Sequence, residues 1–149
     1  AGPTFAPWAQ ERFEGYRRAL MEQQIDVDEK LIFHSGSTIE EGKAAALQLI
    51  DERPRATAIL AANDLVAIGA ATPLLDQGVN IPEEISVVGF GNILTAEHFR
   101  VPLTTISQPK YRRGISAMES MTALLAGESV GTKRLAAELV IRKSTAAPA

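Results

Sequence analysis

Two groupings of residues in this 149-residue chain carry chemistry that binds rather than reacts. Arg12 stands one helical turn after Trp8, and Asn63-Asp64 closes the apolar stretch at residues 57–61. The arginine fork suits carboxylates, phosphates or paired hydroxyls. A tryptophan one turn away shares its side of a helix and can stack on a sugar or base. The plainer readings are a surface arginine with a packed stem and a tryptophan that packs a helix start. The Asn63 amide can both donate to and accept from a hydroxylated ligand, whereas Asp64 reads as a helix cap.

Other candidates fail on spacing. Gly89-Phe90-Gly91-Asn92 is not GxGxxG, which argues against dinucleotide binding. His34 and His98 are far apart without carboxylates at metal-ligand spacing, so no metal is expected; His34 reads as a strand-end residue. No serine sits in a GxSxG elbow, and Glu40-Glu41 and Glu83-Glu84 read as first-turn and loop charges rather than an acid/base pair. With no catalytic residues and no cofactor motif, the chain does not read as an enzyme.

Composition narrows the partners. A net charge of −3 argues against this chain gripping nucleic acid by itself. The short basic cluster Lys110, Arg112 and Arg113 reads as a solvated helix start. Zero cysteines exclude disulfides and thiolate sites. No apolar run approaches the ~20 residues that span a bilayer, so no membrane partner is expected. The opening AGPTFAPW is neither a signal peptide nor a start methionine, and reads as a chain beginning in mid-protein.

The elements that must position these residues alternate between helix and strand. Residues 7–24 form a helix with Pro7 in its first turn and Ala9, Phe13, Tyr16 and Leu20 on one stripe. An apolar run at 30–34 and a turn at 35–37 precede a second helix, capped by Ser37 or Thr38, carrying Ala44, Leu47, Leu49 and Ile50, and stopping near Arg53-Pro54. Residues 57–61 and 85–90 read as strands buried on both faces, separated by a helix at 65–77 that ends at Gly78. A third strand at 103–107, a helix at 110–126, a loop at 127–132, a strand at 138–145 and a loose tail complete the chain. This order implies an α/β fold with a doubly wound parallel sheet. Ligands then bind beyond the carboxyl ends of the strands, at Asn63-Asp64, Gly91-Asn92, residues 35–38 and the helix start near Trp8 and Arg12. Helix 7–24 should follow a strand near the sheet centre, which is absent here, so the chain reads as a fragment of low stability on its own.

The chain resembles the effector-binding region of the lac-repressor (LacI/GalR) family of transcription regulators. The resemblance runs through Gly2-Pro3, Arg12, Gly15-Tyr16, Ala19-Leu20, Ala62-Asn63-Asp64 with Ala67-Ile68-Gly69-Ala70, Ile81-Pro82, residues 85–90, Pro102-Leu103-Thr104-Thr105, Gln108-Pro109, Gly114 and residues 139–145. It implies a periplasmic-binding-protein-like type I fold. Residues 3–107 would be the C-terminal lobe, 108–137 a helix and loop that belong with the N-terminal lobe, and 138–149 the final strand and tail. The DNA-binding headpiece would lie outside this chain.

The resemblance also implies ligand-binding roles for Trp8, Arg12, Ser37, Asn63, Gly91 and Asn92, and a homodimer interface at Ile68 and Phe99. Plain core is the competing reading for Ile68. Two departures stand out: Gly91 occupies a position that is usually acidic, and Ser37 one that is often aromatic. A pyranose clamped by a bidentate aspartate is therefore disfavoured, and a more apolar or anionic effector favoured. The expected function is to sense a small molecule in the cytoplasm and to control operator binding through the headpiece. A periplasmic solute-binding protein of the ribose-binding type is the alternative.

Overall fold

A computed structural model describes residues 1–34, 36–52 and 56–147. The expected helix stop at Arg53-Pro54, the turn residue Ser35 and the tail residues Pro148 and Ala149 lie outside the described residues. The helices are α1 (Pro7–Glu22), α2 (Ile39–Glu52), α3 (Asp64–Asp76), the short α4 (Leu94–Glu97) and α5 (Lys110–Leu125). The strands are β1 (Ala58–Leu60), β2 (Ser86–Phe90), β3 (Thr104–Ser107) and β4 (Glu138–Val140). They form one sheet in the order β1-β2-β3-β4.

Local chemistry explains the helix starts. Pro7 opens α1, and Ala9 is buried while Phe13, Tyr16 and Leu20 are half-buried. The start of α2 is a reciprocal cap: Glu41 N–H donates to Thr38 Oγ1 at 3.2 Å, and Thr38 N–H donates to the Glu41 carboxylate at 2.9 Å. The Thr38 hydroxyl, followed by the Thr38 and Ser37 backbone N–H groups, holds the Glu41 carboxyl below its ordinary pKa. That contribution is present above the unfolded carboxylate pKa and is lost as the pH falls through the folded one. Within α2, Ala46 and Leu49 are buried, but Ala44 and Leu47 face solvent.

At the start of α3 the capping role falls on the other candidate. Asn63, not Asp64, is the cap: its Oδ1 accepts from Val66 N–H at 2.8 Å. Asp64 is only 1% exposed and turns inward. Helix α3 is buried nearly all round, as its uniformly apolar sequence demands. It meets α2 backbone to backbone, because a Cβ at Gly69 would stand 2.1 Å from the Ile39 carbonyl oxygen. That close approach brings the start of α2 against the cap of α3.

The sheet departs from expectation in four places. β1 is not buried on both faces, and Leu60 is 51% exposed. Among the described residues β1 pairs only with β2, and a cavity of about 410 Å³, lined by Phe13, Leu31, Phe33, Leu49 and Ile59, adjoins it. Residues 32–34 form no strand, so His34 ends none; the segment follows a 3-10 turn started by Asp28, which accepts from Lys30 N–H at 3.0 Å. Finally, β1, β2 and β3 are parallel, but β4 runs antiparallel to β3.

The last strand also stops at Val140 rather than residue 145. The chain then slides beneath the start of β3. The buried Ser144 carbonyl accepts from Val87 N–H at 2.7 Å, and its hydroxyl accepts from Thr104 N–H at 2.8 Å. The tail thereby continues the ladder beside β2. The core lies between α3 and the sheet, around Ala67, Leu74, Val87 and Leu103.

Candidate functional site

The parallel register pairs Leu60 with Val88, so the carboxyl ends of β1 and β2 lie side by side. Such ends are where open α/β sheets bind ligands. Arg12 reaches there from α1. Its Nη1 donates to the Ala62 carbonyl at 2.6 Å. Its guanidinium carbon lies 4.7 Å from the Trp8 ring centre and 3.6 Å from that of Phe90. Cation–π contact with two rings fixes the fork in place. Burial lowers the Arg12 pKa, the nearby charge of Arg113 lowers it further, and Asp64 opposes both; a guanidinium remains protonated at neutral pH nonetheless.

Asn63 and Ser37 also come together. Asn63 Nδ2 donates to the Ser37 carbonyl at 3.1 Å while its Oδ1 caps α3. An amide has two donors and two acceptor lone pairs, so one N–H and one lone pair remain for a ligand. Ser37 is exposed, and its backbone N–H donates to Glu41 at 2.8 Å.

Gly91 and Asn92 form the turn after β2. Both adopt positive φ, at 134° and 50°. A side chain at Gly91 is strained in that conformation, and its Cβ would stand 3.4 Å from Asp64 Oδ2. Gly91→Ala is therefore expected to cost about 1–3 kcal/mol, read as a lower urea midpoint; an unchanged midpoint would contradict this backbone assignment. The Asn92 side chain is committed within the fold: Nδ2 donates to Ser107 Oγ at 3.2 Å, and Oδ1 accepts from Arg142 Nη2 at 2.8 Å.

Two further residues take part that no sequence motif marks. Phe90 supplies a ring for Arg12, and its place at the strand end beside Gly91 was a usable signal. Arg142 ties Asn92 to the Leu103 carbonyl, with Nη1 donating at 2.8 Å; nothing in its local sequence marks it. The interface candidates lie apart from this site. Ile68 is 9% exposed and belongs to the core, and Phe99 is half-buried against it. Core packing accounts for the apolar character of Ile68 without a partner subunit.

Residues 1–145 match the family profile of the periplasmic binding protein-like domain. This chain belongs to that family. The domain is 38% identical to the HTH-type transcriptional repressor CytR of Escherichia coli K12 over 149 residues, which is 99% of this chain and 44% of that protein. Its structure is similar to a transcriptional regulator CelR–cellobiose complex, with a TM-score of 0.89 and 33% identity over 97% of this chain and 45% of the other. It is likewise similar to a lac repressor dimer bound to operator and the anti-inducer ONPF, with a TM-score of 0.91 and 31% identity over 99% and 51%. These relatives place the domain among the lac-repressor-type regulators, as the resemblance implied. The chain spans less than half the length of CytR.

Proposed function

We propose that this domain is the effector-binding and dimerisation region of a bacterial lac-repressor-type transcription regulator, acting in the cytoplasm. The observation that carries this reading is the Arg12 guanidinium, fixed against Trp8 and Phe90 at the strand tips, with the Asn63 amide following the carbonyl it grips. Such a fork recognises hydroxyls or acids. Ser37, Gly91 and Asn92 shape the cleft around it, with Asn92 acting through its backbone turn.

The effector bridges this lobe and a second one. Helix α5 supports that arrangement, since none of its residues is buried and Ile115, Met118, Met121 and Leu125 are exposed. A face of that kind calls for a cover, and the N-terminal lobe supplies it. A strand ahead of Ala1 would fill the cavity beside β1. The effector shifts the population of lobe angles and so the spacing of the headpieces on the operator. Dimerisation runs through the surface around Phe99, with Ile68 behind it as support. The solute-binding alternative shares the fold, but the relatives named above are regulators.

The test is a thermal-shift screen of the intact two-lobed protein against sugars, nucleosides and small acids. A ligand at a hundredfold excess over its dissociation constant stabilises by ~2.7 kcal/mol. The shift should vanish in Arg12→Ala and weaken in Asn63→Asp, which keeps an oxygen to cap α3. A shift that survives in both variants would move the site away from this cleft.

A further inference from the structure

Three cations, Arg12, Lys110 and Arg113, stand near the strand tips with no ion-paired carboxylate among the described residues. Arg12 donates to the Ala62 carbonyl. Arg113, in the first turn of α5, donates to the neutral Gln108 Oε1 at 2.6 Å. Lys110, one turn earlier, donates to the Asn92 carbonyl at 3.2 Å. The ion pairs formed among the described residues use Arg18, Arg100, Lys133 and Arg142 instead. The clustering runs against a chain whose acids outnumber its bases, 18 to 15.

Among the described residues, the acidic group whose charge reaches Arg12 is Asp64, and it is already committed. Asp64 accepts from Ile93 N–H at 2.9 Å and from the Thr105 hydroxyl. The turn residue at 91 carries no side chain at all. Arg113 lies close enough to Arg12 for the two positive charges to repel. Like charges held together and only partly offset by Asp64 raise the energy of the empty site, and a bound anion relieves that cost.

We infer that the effector of this cleft carries an anionic group, a phosphate or a carboxylate, bound by Arg12, Arg113 and Lys110. The inference rests on the cleft being the effector site. It also gives closure a physical origin. Arg12 stands on α1, whereas Lys110 and Arg113 stand on α5, the helix that the proposed function assigns to the other lobe. An anion between them converts repulsion across the lobe boundary into attraction.

The test uses the intact protein and two probes, inorganic phosphate and malonate, each compared with sodium chloride at equal ionic strength. At millimolar concentration at least one probe should raise the unfolding midpoint, and added salt should shrink the rise. Lys110→Gln combined with Arg113→Gln, both at exposed positions, should weaken binding of that probe at least roughly tenfold by calorimetry, the size of one charge-assisted hydrogen bond. A response to phosphate alone identifies a phosphoryl group, and a response to malonate alone a carboxylate. The inference is overturned if neither probe outperforms chloride, or if the response survives in the double variant. A neutral compound that acts through Arg12 and Asn63, with both anions silent, would overturn the anionic effector while leaving the cleft as the effector site.

Discussion

Replacing Asp64 with alanine is expected to destabilise the protein by about 3–4 kcal/mol, since each buried partner left unpaired costs ~1–3 kcal/mol. Its carboxylate accepts from the part-buried Ile93 backbone N–H and from the buried Thr105 hydroxyl; Asp64 is 1% exposed and Thr105 0%. These bonds join the start of α3 to the turn after β2 and to β3, so the strand tips that present Phe90 depend on them. A double-mutant cycle separates this role from simple cavity formation. Thr105→Val removes the orphaned hydroxyl, so Asp64→Ala combined with Thr105→Val should lose less than the sum of the two single losses. Urea unfolding of the four proteins measures the coupling. Strict additivity would mean that the two side chains do not depend on each other.

The second large effect falls on binding. Arg12→Ala should weaken effector affinity by about a hundredfold, as expected when roughly two charge-assisted hydrogen bonds are lost. Arg12→Lys should recover little of it. A lysine ammonium is a point charge without the planar fork, and it cannot reproduce contacts to the Trp8 and Phe90 rings at 4.7 and 3.6 Å while gripping the Ala62 carbonyl. Titration calorimetry on the intact protein reads the affinities. Full recovery by lysine would show that charge alone matters and that the flat fork does not.

Much of this site was legible because its determinants are local. The turn from Trp8 to Arg12, the strand end before Asn63 and the switch from helix to strand periodicity are all patterns within a few residues. The choice of Asn63 over Asp64 as the cap was not legible. Both residue types cap helices well, and the choice depends on partners 29 and 41 residues beyond Asp64. The Arg142 contact with Asn92 spans 50 residues. Nor does an apolar sequence reveal its neighbours: residues 57–61 read the same in a central strand as at the edge that β1 occupies. Alternation along β4 is likewise the same for parallel and antiparallel pairing.

The most direct measurement is operator affinity of the intact regulator with and without the compound found by the thermal-shift screen, in the wild type and in Arg12→Ala. In the wild type the compound should change operator affinity at least roughly fivefold, the lower end of ordinary allosteric coupling. In Arg12→Ala operator binding should persist, but the same concentration of compound should leave it unchanged. A compound that occupies the Arg12 cleft without altering operator affinity, or that acts equally on both proteins, would contradict the account.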